Sequence, residues 1–470
     1  MATVNGHTYA ETIDAADGVT NGTDYIYGHG GADTIFGLGG DDWIIGGLGA
    51  DTIDGGTGRD TASYGDSFVG VTVSLMTGQG FGGTAEGDRL TNIENLDGSE
   101  HSDLLVGDNY SNRLSGNLGD DILKGGGGSD TLYGDGIDDT DAMFPIEGGS
   151  GNDVLKGGGG ADILHGGIGM DTAAYNDSPE GVTVSLYSGY TGGGDAAGDV
   201  LYSIENLTGS DYDDMLFGDD SNHPFPYGSG TGNTLHGLKG ADTLFGMGGD
   251  DTLDGGEGAD WMYGGEGNDT FYVDNGADHV NDTSAGTTER VKASVSYGLG
   301  TGASIEILET TDASGTSAID LSGNEFANRI IGNDGANNLL GGGGGDRLEG
   351  GGNNDRLIGG AQSDDLYGGT GADHFTYLSF GDSNRTTGVD NIFDFNALEG
   401  DRIDLHAIDA DGNAANGDQA FTFYGAGALS GHVGELRYNA GYIEGDVNGD
   451  GAADLRIHVN VEVHSGDFWL

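Results

Sequence analysis

The chain has 470 residues, 100 of them Gly, 4 Pro and none Cys, and its 15 basic side chains face 79 acidic ones for a formal net charge of −64. Such a polyanion lacks the basic patch that binds nucleic acid or an anionic membrane by charge, and without cysteine it has neither a disulfide framework nor thiol chemistry. No run approaches 18 consecutive apolar residues, so no transmembrane helix is expected.

The opening stretch, MATVNGHTYAETIDAADG, has neither the basic n-region nor the apolar h-region of a Sec-type signal peptide, so any export signal is expected elsewhere. Residues 1–27 scatter apolar positions (Val4, Tyr9, Ile13, Tyr25, Ile26) as the end cap of a solenoid would. A first array follows over 28–63. Its centre reads GLGGDDWIIGGLGADTIDGG, nine-residue units approaching G-G-x-G-x-D-x-U-x with U large and apolar. Six residues of mostly Gly and Asp can turn tightly because glycine accepts positive φ. The next three extend, and the eighth position points to one side of a strand. Here the sixth positions are Asp33, Asp42, Asp51 and Asp60, and the eighth are Ile35, Ile44, Ile53 and Ala62. A turn that gathers carboxylates with carbonyl oxygens, such as those of Gly46, Gly47 and Gly49, suits a hard cation wanting six to eight oxygens, most commonly calcium.

A spacer covers 64–97. The second array, 98–174, holds Asp103, Asn112, Asp121 and Asp130, is interrupted by IDDTDAMFPIE, and resumes with Asp153, Asp162 and Asp171. The spacer then returns over 175–208: DTASYGDSFVGVTVSL…IENLDGS is matched by DTAAYNDSPEGVTVSL…IENLTGS, a duplication above the nonapeptide one. The third array, 209–273, holds Asp214, Asn233, Asp242, Asp251, Asp260 and Asp269, with an irregular loop SNHPFPYGSG. Over 274–322 glycine thins out, and alternating runs such as VKASVSY and IEILET read as solenoid strands without metal loops. The fourth array, 323–376, holds Asn328, Asn337, Asp346, Asp355, Asp364 and Asp373, and a different segment runs over 377–470. The eighth positions stay apolar, among them Leu105, Leu123, Leu155, Leu244, Met262, Phe271, Leu357 and Phe375, as expected for a two-sided core with two nonapeptides per turn.

Ordering nine glycine-rich backbones costs roughly 1 kcal/mol or more each, whereas burying one Leu or Ile returns about 2–3 kcal/mol. Stacked Asp edges add repulsion. Folding is therefore expected to depend on the cation.

The arrays resemble hemolysin-type calcium-binding (RTX) repeats. That resemblance implies an all-β fold, a right-handed parallel β-roll or calcium-bound β-solenoid with calcium held between adjacent loops. It gives a ligand role to the sixth-position Asp residues together with loop glycine carbonyls. Asn112, Asn233, Asn328 and Asn337 carry one charge fewer, which implies weaker binding or none, and Asn353 and Gln362 depart from the pattern at the fourth-position glycine.

In the last segment DNIFDFNALEGDRIDLHAID, DQAFTFYG, GELRYNAG and GDVNGDGAADLRIHV resemble the C-terminal module of serralysin-like proteases and related type I-secreted proteins, and the terminal SGDFWL is similar to type I export signals. The resemblance implies passage through an ABC-type exporter and an extracellular location. Asp446, Asn448, Asp450 and Gly451 spell D-x-N-x-D-G, but the twelfth position is Ile457 rather than Glu, so this is no EF-hand. A smaller calcium loop with Asp454 as an extra ligand, or a polar turn, are the two readings. Asp409, Asp411 and Asn413 form a weaker candidate.

Neither the H-E-x-x-H zinc helix nor a G-x-S-x-G elbow occurs. His29, His165 and His236 read as surface residues, and AMFPIE and HPFPY as bulges or partner contacts. The expectation is a secreted, non-catalytic calcium-binding protein of a surface, matrix or interaction type. The alternative is an enzyme with an unrecognised site, or an accessory module of a polysaccharide-modifying or proteolytic system.

Overall fold

A computed structural model describes residues 2–135, 152–167, 169–220, 232–282, 288–412 and 419–470; the insertion IDDTDAMFPIE, the loop SNHPFPYGSG and Asn413 lie outside them. The described residues contain no α-helix, only short strands and three 3₁₀ turns, at Gly83–Ala85, Gly194–Ala196 and Ser465–Asp467. Two compact units divide the chain, Met1–Asp251 and Thr252–Leu470.

In the first unit the three extended residues of each nonapeptide form a strand, and that strand pairs in parallel with the one a full turn later. Successive strands therefore alternate between two sheets. In one sheet Ile26 lies over Ile44, Ile44 over Ala62, Ala62 over Leu96, and Leu96 over Leu114. In the other Ile13 lies over Ile35 and Ile35 over Ile53, and further along Leu105 over Leu123 and Leu123 over Leu155. The eighth-position side chains between the sheets form the core, with Ile35, Ile44, Leu105, Leu123 and Leu155 fully buried. This is a parallel β-roll: a period of nine gives each strand the same inward residue, and stacking continues it without a register slip.

The spacers do more than link. Thr72–Ser74 turns back as Gln79–Phe81, antiparallel to it, and Arg89–Thr91 reverses again to lie parallel on Thr52–Asp54. That sheet thus gains an inserted hairpin, while the opposite sheet passes directly from Ala62 to Leu96. The second copy builds the corresponding hairpin from Thr183–Ser185 and Tyr190–Gly192. That hairpin lies in a separate six-stranded sheet, and Leu207, equivalent to Leu96, pairs with Ala173 and Leu235 in the sheet of Leu155.

The second unit continues the pattern through the glycine-poor stretch. Leu253, Phe271, Val291, Leu308, Ile330, Leu348 and Leu366 stack in one column, and Leu321, Leu339, Leu357, Phe375 and Ile403 in another. The last segment adds an antiparallel sheet of Glu435–Asn439, Tyr442–Asp446 and Leu455–Val459. The terminal strand Phe468–Trp469 lies in parallel beside Arg402–Asp404, with Phe468 buried. Arg385, Arg437 and Arg456 surround the buried Glu444 carboxylate.

Candidate metal centres

The edges of the roll are the loops between strands. In the loop of Gly46–Asp51, Gly47 and Gly49 have φ of 89° and 153°. This left-handed geometry at the second and fourth positions recurs through the arrays and is imposed even on Leu38 (75°), Asn117 (78°) and Met247 (78°). Asn353 and Gln362, which depart from the sequence pattern, take it as well, at 68° and 89°.

This turn carries the sixth-position carboxylate under the preceding turn of the roll. Its Oδ1 accepts the backbone N–H of the sixth residue one turn earlier: Asp42 from Asp24, Asp51 from Asp33 and Asp60 from Asp42, all 2.8 Å, and likewise Asp364 from Asp346 at 2.8 Å and Asp373 from Asp355 at 2.9 Å. Asp121, Asp153, Asp171 and Asp242 accept in the same way, as do Asp130, Asp162, Asp251 and Asp346. Asp260 and Asp269 are buried in the equivalent loops.

The other oxygen is different. Oδ2 of Asp33, Asp42, Asp51, Asp60, Asp130, Asp162, Asp346, Asp355, Asp364 and Asp373 is buried without a hydrogen-bond partner. At Asp33, Asp42, Asp130, Asp346 and Asp355 it lies beside another acceptor, the carbonyl of the first-position glycine one turn on, and at Asp60 beside the carbonyl of Asn92. A methyl group added at Gly350 would stand 2.4 Å from both Asp355 Oδ2 and Gly368 O, one at Gly37 2.7 Å from Asp42 Oδ2 and 2.4 Å from Gly55 O, and one at Gly28 3.0 Å from Asp33 Oδ2 and 2.4 Å from Gly46 O. Acceptors that converge with no donor, beside a position where only glycine fits, have the chemistry of a hard-cation site. The residues present fit calcium. Among the described residues no three His, Cys, Asp or Glu side chains form a metal cluster, so most of the oxygens must come from the backbone.

Burial pushes the carboxyls of Asp42, Asp51, Asp60, Asp364 and Asp373 up to about 6 and those of Asp130, Asp346 and Asp355 up to about 7, and the backbone N–H each accepts offsets only part of this. At neutral pH each is held between two unfavourable states, a proton taken up or a charge left unpaired.

Some sequence-selected residues are placed otherwise. Asp103 and Asp214 have both oxygens satisfied: Ser99 N–H and Ser210 N–H donate to Oδ2, and the Ser99 and Ser210 hydroxyls to Oδ1 at 2.9 and 2.8 Å. The amide groups of Asn112, Asn233, Asn328 and Asn337 donate to the carbonyls of Glu94, Glu205, Ile305 and Ile319. In the Asp446 loop the backbone closes on the side chains: Gly449 and Gly451 N–H donate to Asp446, Asp450 N–H to Asn448, Ala452 N–H to Asp450, and Val447 N–H to Asp454. Asp409 Oδ2 is buried and unpartnered. His29 is exposed, but His165 is half-buried, stacked between Tyr133 and Tyr202 at 4.9 and 4.5 Å.

The ladder also recruits carboxylates that the nonapeptide pattern misses. Asp24 caps Ala2, Asp88 and Asp199 accept from Asp51 and Asp162, Glu94 and Glu205 from Asp60 and Asp171, and Asp390 and Asp401 from Asp364 and Asp373. The signal for Asp88, Asp199, Glu94 and Glu205 lay in the duplicated spacers, where GD and IEN recur at matching places. Asp88 and Asp199 are further tied to the buried Tyr64 and Tyr175 hydroxyls, at 3.3 and 3.2 Å.

Comparison with known families gives two matches, the second of which begins well before residue 377 and takes in the fourth array. The model of the RTX calcium-binding nonapeptide repeat matches residues 20–42, 27–62, 97–140, 146–173, 227–262 and 246–280. The model of the peptidase M10 serralysin C terminal matches residues 299–469. Neither match includes a catalytic domain. Among curated proteins none matches the chain.

Proposed function

We propose that this chain, which carries RTX calcium-binding nonapeptide repeats ahead of a serralysin-type C-terminal region, is a secreted, non-catalytic protein whose β-roll folds on calcium outside the cell and serves a surface, matrix or interaction role. The observation that carries this reading is the row of buried, unpartnered Oδ2 atoms, with those of Asp33, Asp42, Asp60, Asp130, Asp346 and Asp355 beside a backbone carbonyl. Bound calcium neutralises these oxygens and supplies ligation energy. The chain's own residues provide the rest: sixth-position Asp residues orient one oxygen by the ladder hydrogen bond, and glycines admit the facing carbonyl. With free calcium at ten times a site's Kd, each site adds about 1.4 kcal/mol to folding. Extracellular modules typically bind at about 10⁻⁴–10⁻³ M, a concentration met outside cells and not within them.

The serralysin-type region and the terminal FWL support export by an ABC-type exporter. Far-UV circular dichroism in chelator is expected to show a disordered chain that gains β-structure on calcium addition. A full β spectrum in chelator would remove the basis of the proposal. The non-catalytic part is tested by assaying protease, lipase and polysaccharide-degrading activity with calcium present. A turnover abolished by one substitution outside the metal loops would establish an enzyme instead.

A further inference from the structure

The loops fall into two geometries, and their order along the chain is regular. In the closed geometry the second residue is not in the left-handed region, and its N–H donates to the sixth side chain. Asp108 N–H donates to Asn112 at 2.7 Å, Asp219 N–H to Asn233 at 2.8 Å, Asn324 N–H to Asn328 at 3.0 Å and Asn333 N–H to Asn337 at 2.9 Å. Ser99 and Ser210 close Asp103 and Asp214 in the same way, Thr20 closes Asp24 at 2.6 Å, and His7 N–H closes Glu11. The second side chain in turn accepts the N–H two residues on: Ser99 from His101, Asp108 from Tyr110, Ser210 from Tyr212, Asn324 from Phe326 and Asn333 from Gly335. These loops spend their acceptors on their own donors. In the open geometry the second residue is left-handed, and Oδ2 of Asp33, Asp42, Asp51, Asp60, Asp130, Asp162, Asp346, Asp355, Asp364 and Asp373 is left without a hydrogen-bond partner.

Counting the first from Glu11, each array begins with a pair of closed loops and continues with open ones. Glu11 and Asp24 precede Asp33 to Asp60. Asp103 and Asn112 precede Asp121 and Asp130, and Asn328 and Asn337 precede Asp346 to Asp373. Asp214 and Asn233 precede Asp242 and Asp251. Two loops make one turn, since a strand pairs with the strand two nonapeptides on.

We infer that the first turn of every array folds without a cation and is the template on which the calcium-loaded turns stack, so that calcium binding is confined to the open loops. Asp103 and Asp214, which hold the sixth position in the repeat register, are then structural. This rests on the calcium-dependent folding proposed above, and the two can fail separately.

The test uses the full chain. Wild-type protein is first titrated from chelator into calcium by circular dichroism; a chain already fully folded in chelator defeats the parent reading. Given calcium-dependent folding, bound calcium per chain is counted by equilibrium dialysis for two double variants. Asp108→Gly with Asn112→Asp writes GGNYSD into a closed loop and is expected to add one ion. Gly351→Asn with Asp355→Asn writes GNGNNN into an open loop and is expected to remove one. Asn112→Asp alone keeps the closing Asp108 N–H and is expected to add none. Unchanged counts in both double variants, or an ion gained by Asn112→Asp alone, overturn the inference. A second readout needs no variant: in wild type at calcium below the folding midpoint, amides of Leu104–Val106, Arg113–Asn117 and Arg329–Ile331 are expected to exchange roughly tenfold more slowly than those of Arg356–Ala361 and Asp365–Thr370. Uniform exchange across these strands overturns it.

Discussion

Acidification in the presence of chelator is expected to restore β-structure to the calcium-free chain. Asp42, Asp51, Asp60, Asp364 and Asp373 rise to about 6 in the fold, and Asp130, Asp346 and Asp355 to about 7, from an ordinary value of 3.8. A raised folded value means that stability is fully present below 3.8 and is lost as pH climbs through 6 to 7. Between pH 8 and pH 5 each carboxyl near 6 regains about 1.4 kcal/mol and each near 7 about 2.7 kcal/mol. Water at the loop edges screens these terms. Discounted to a third, the eight together still give about 5 kcal/mol, comparable with the whole stability of a small domain. Exposed carboxylates remain ionised at pH 5, so the effect is specific to the buried row. The assay is far-UV circular dichroism with excess chelator, stepped from pH 8 to pH 5. In calcium the trend reverses, because protons compete for the same oxygens and the calcium midpoint rises as pH falls. A chelated chain that gains no β signal by pH 5 would show that the buried carboxylates are not what blocks folding.

Gly350→Ala places a methyl 2.4 Å from Asp355 Oδ2 and Gly368 O; it is expected to lose one bound ion and about 1–3 kcal/mol, read as a higher calcium midpoint, whereas Gly300→Ala, with nothing within 4 Å, is expected to leave the midpoint unchanged. Leu357→Ala empties a fully buried core position and is expected to cost about 2–5 kcal/mol in calcium by urea unfolding. Tyr64→Phe removes the hydroxyl that reaches Asp88, and is expected to lower stability by about 1 kcal/mol in the same measurement. Phe468→Ala uncovers Ile403 and is expected to cost about 3 kcal/mol, with faster amide exchange in Arg402–Asp404.

The roll and its core were readable because one period controls both. Ile44, Leu123, Leu253 and Leu357 are inward for the same reason, and each is fully buried. The sixth-position aspartates were readable for the same cause. The closed loops were less so, since Asp103 holds the sixth position in register as Asp121 does, although its loop GSEHSD lacks the second- and fourth-position glycines and GNLGDD lacks only the second. The discriminating residue is the second one, Ser99 against Asn117, and its effect is a backbone φ that composition does not declare. The spacer hairpin was hidden differently. Thr72–Ser74 and Gln79–Phe81 pair antiparallel inside a parallel sheet, a choice set by the turn between them and not by apolar alternation. Asp88 and Glu94 entered the ladder because that hairpin returns the chain to the right height.

The placement of the two spacer copies on opposite sheets has a consequence for how such a chain can grow. A two-sided roll has a frame of two: inserting or deleting eighteen residues leaves every later strand on its own side, whereas nine residues send all of them across. Leu96 and Leu207 are the same residue of a duplicated segment, and they stand on different sides. The duplication that separated them was therefore out of frame. The roll accepted it because both walls present the same inward column of aliphatic side chains, so neither side is privileged. Single-nonapeptide changes within an array are then expected to be tolerated by the core. They carry whatever decorates the outside, hairpins included, to the other side of the roll.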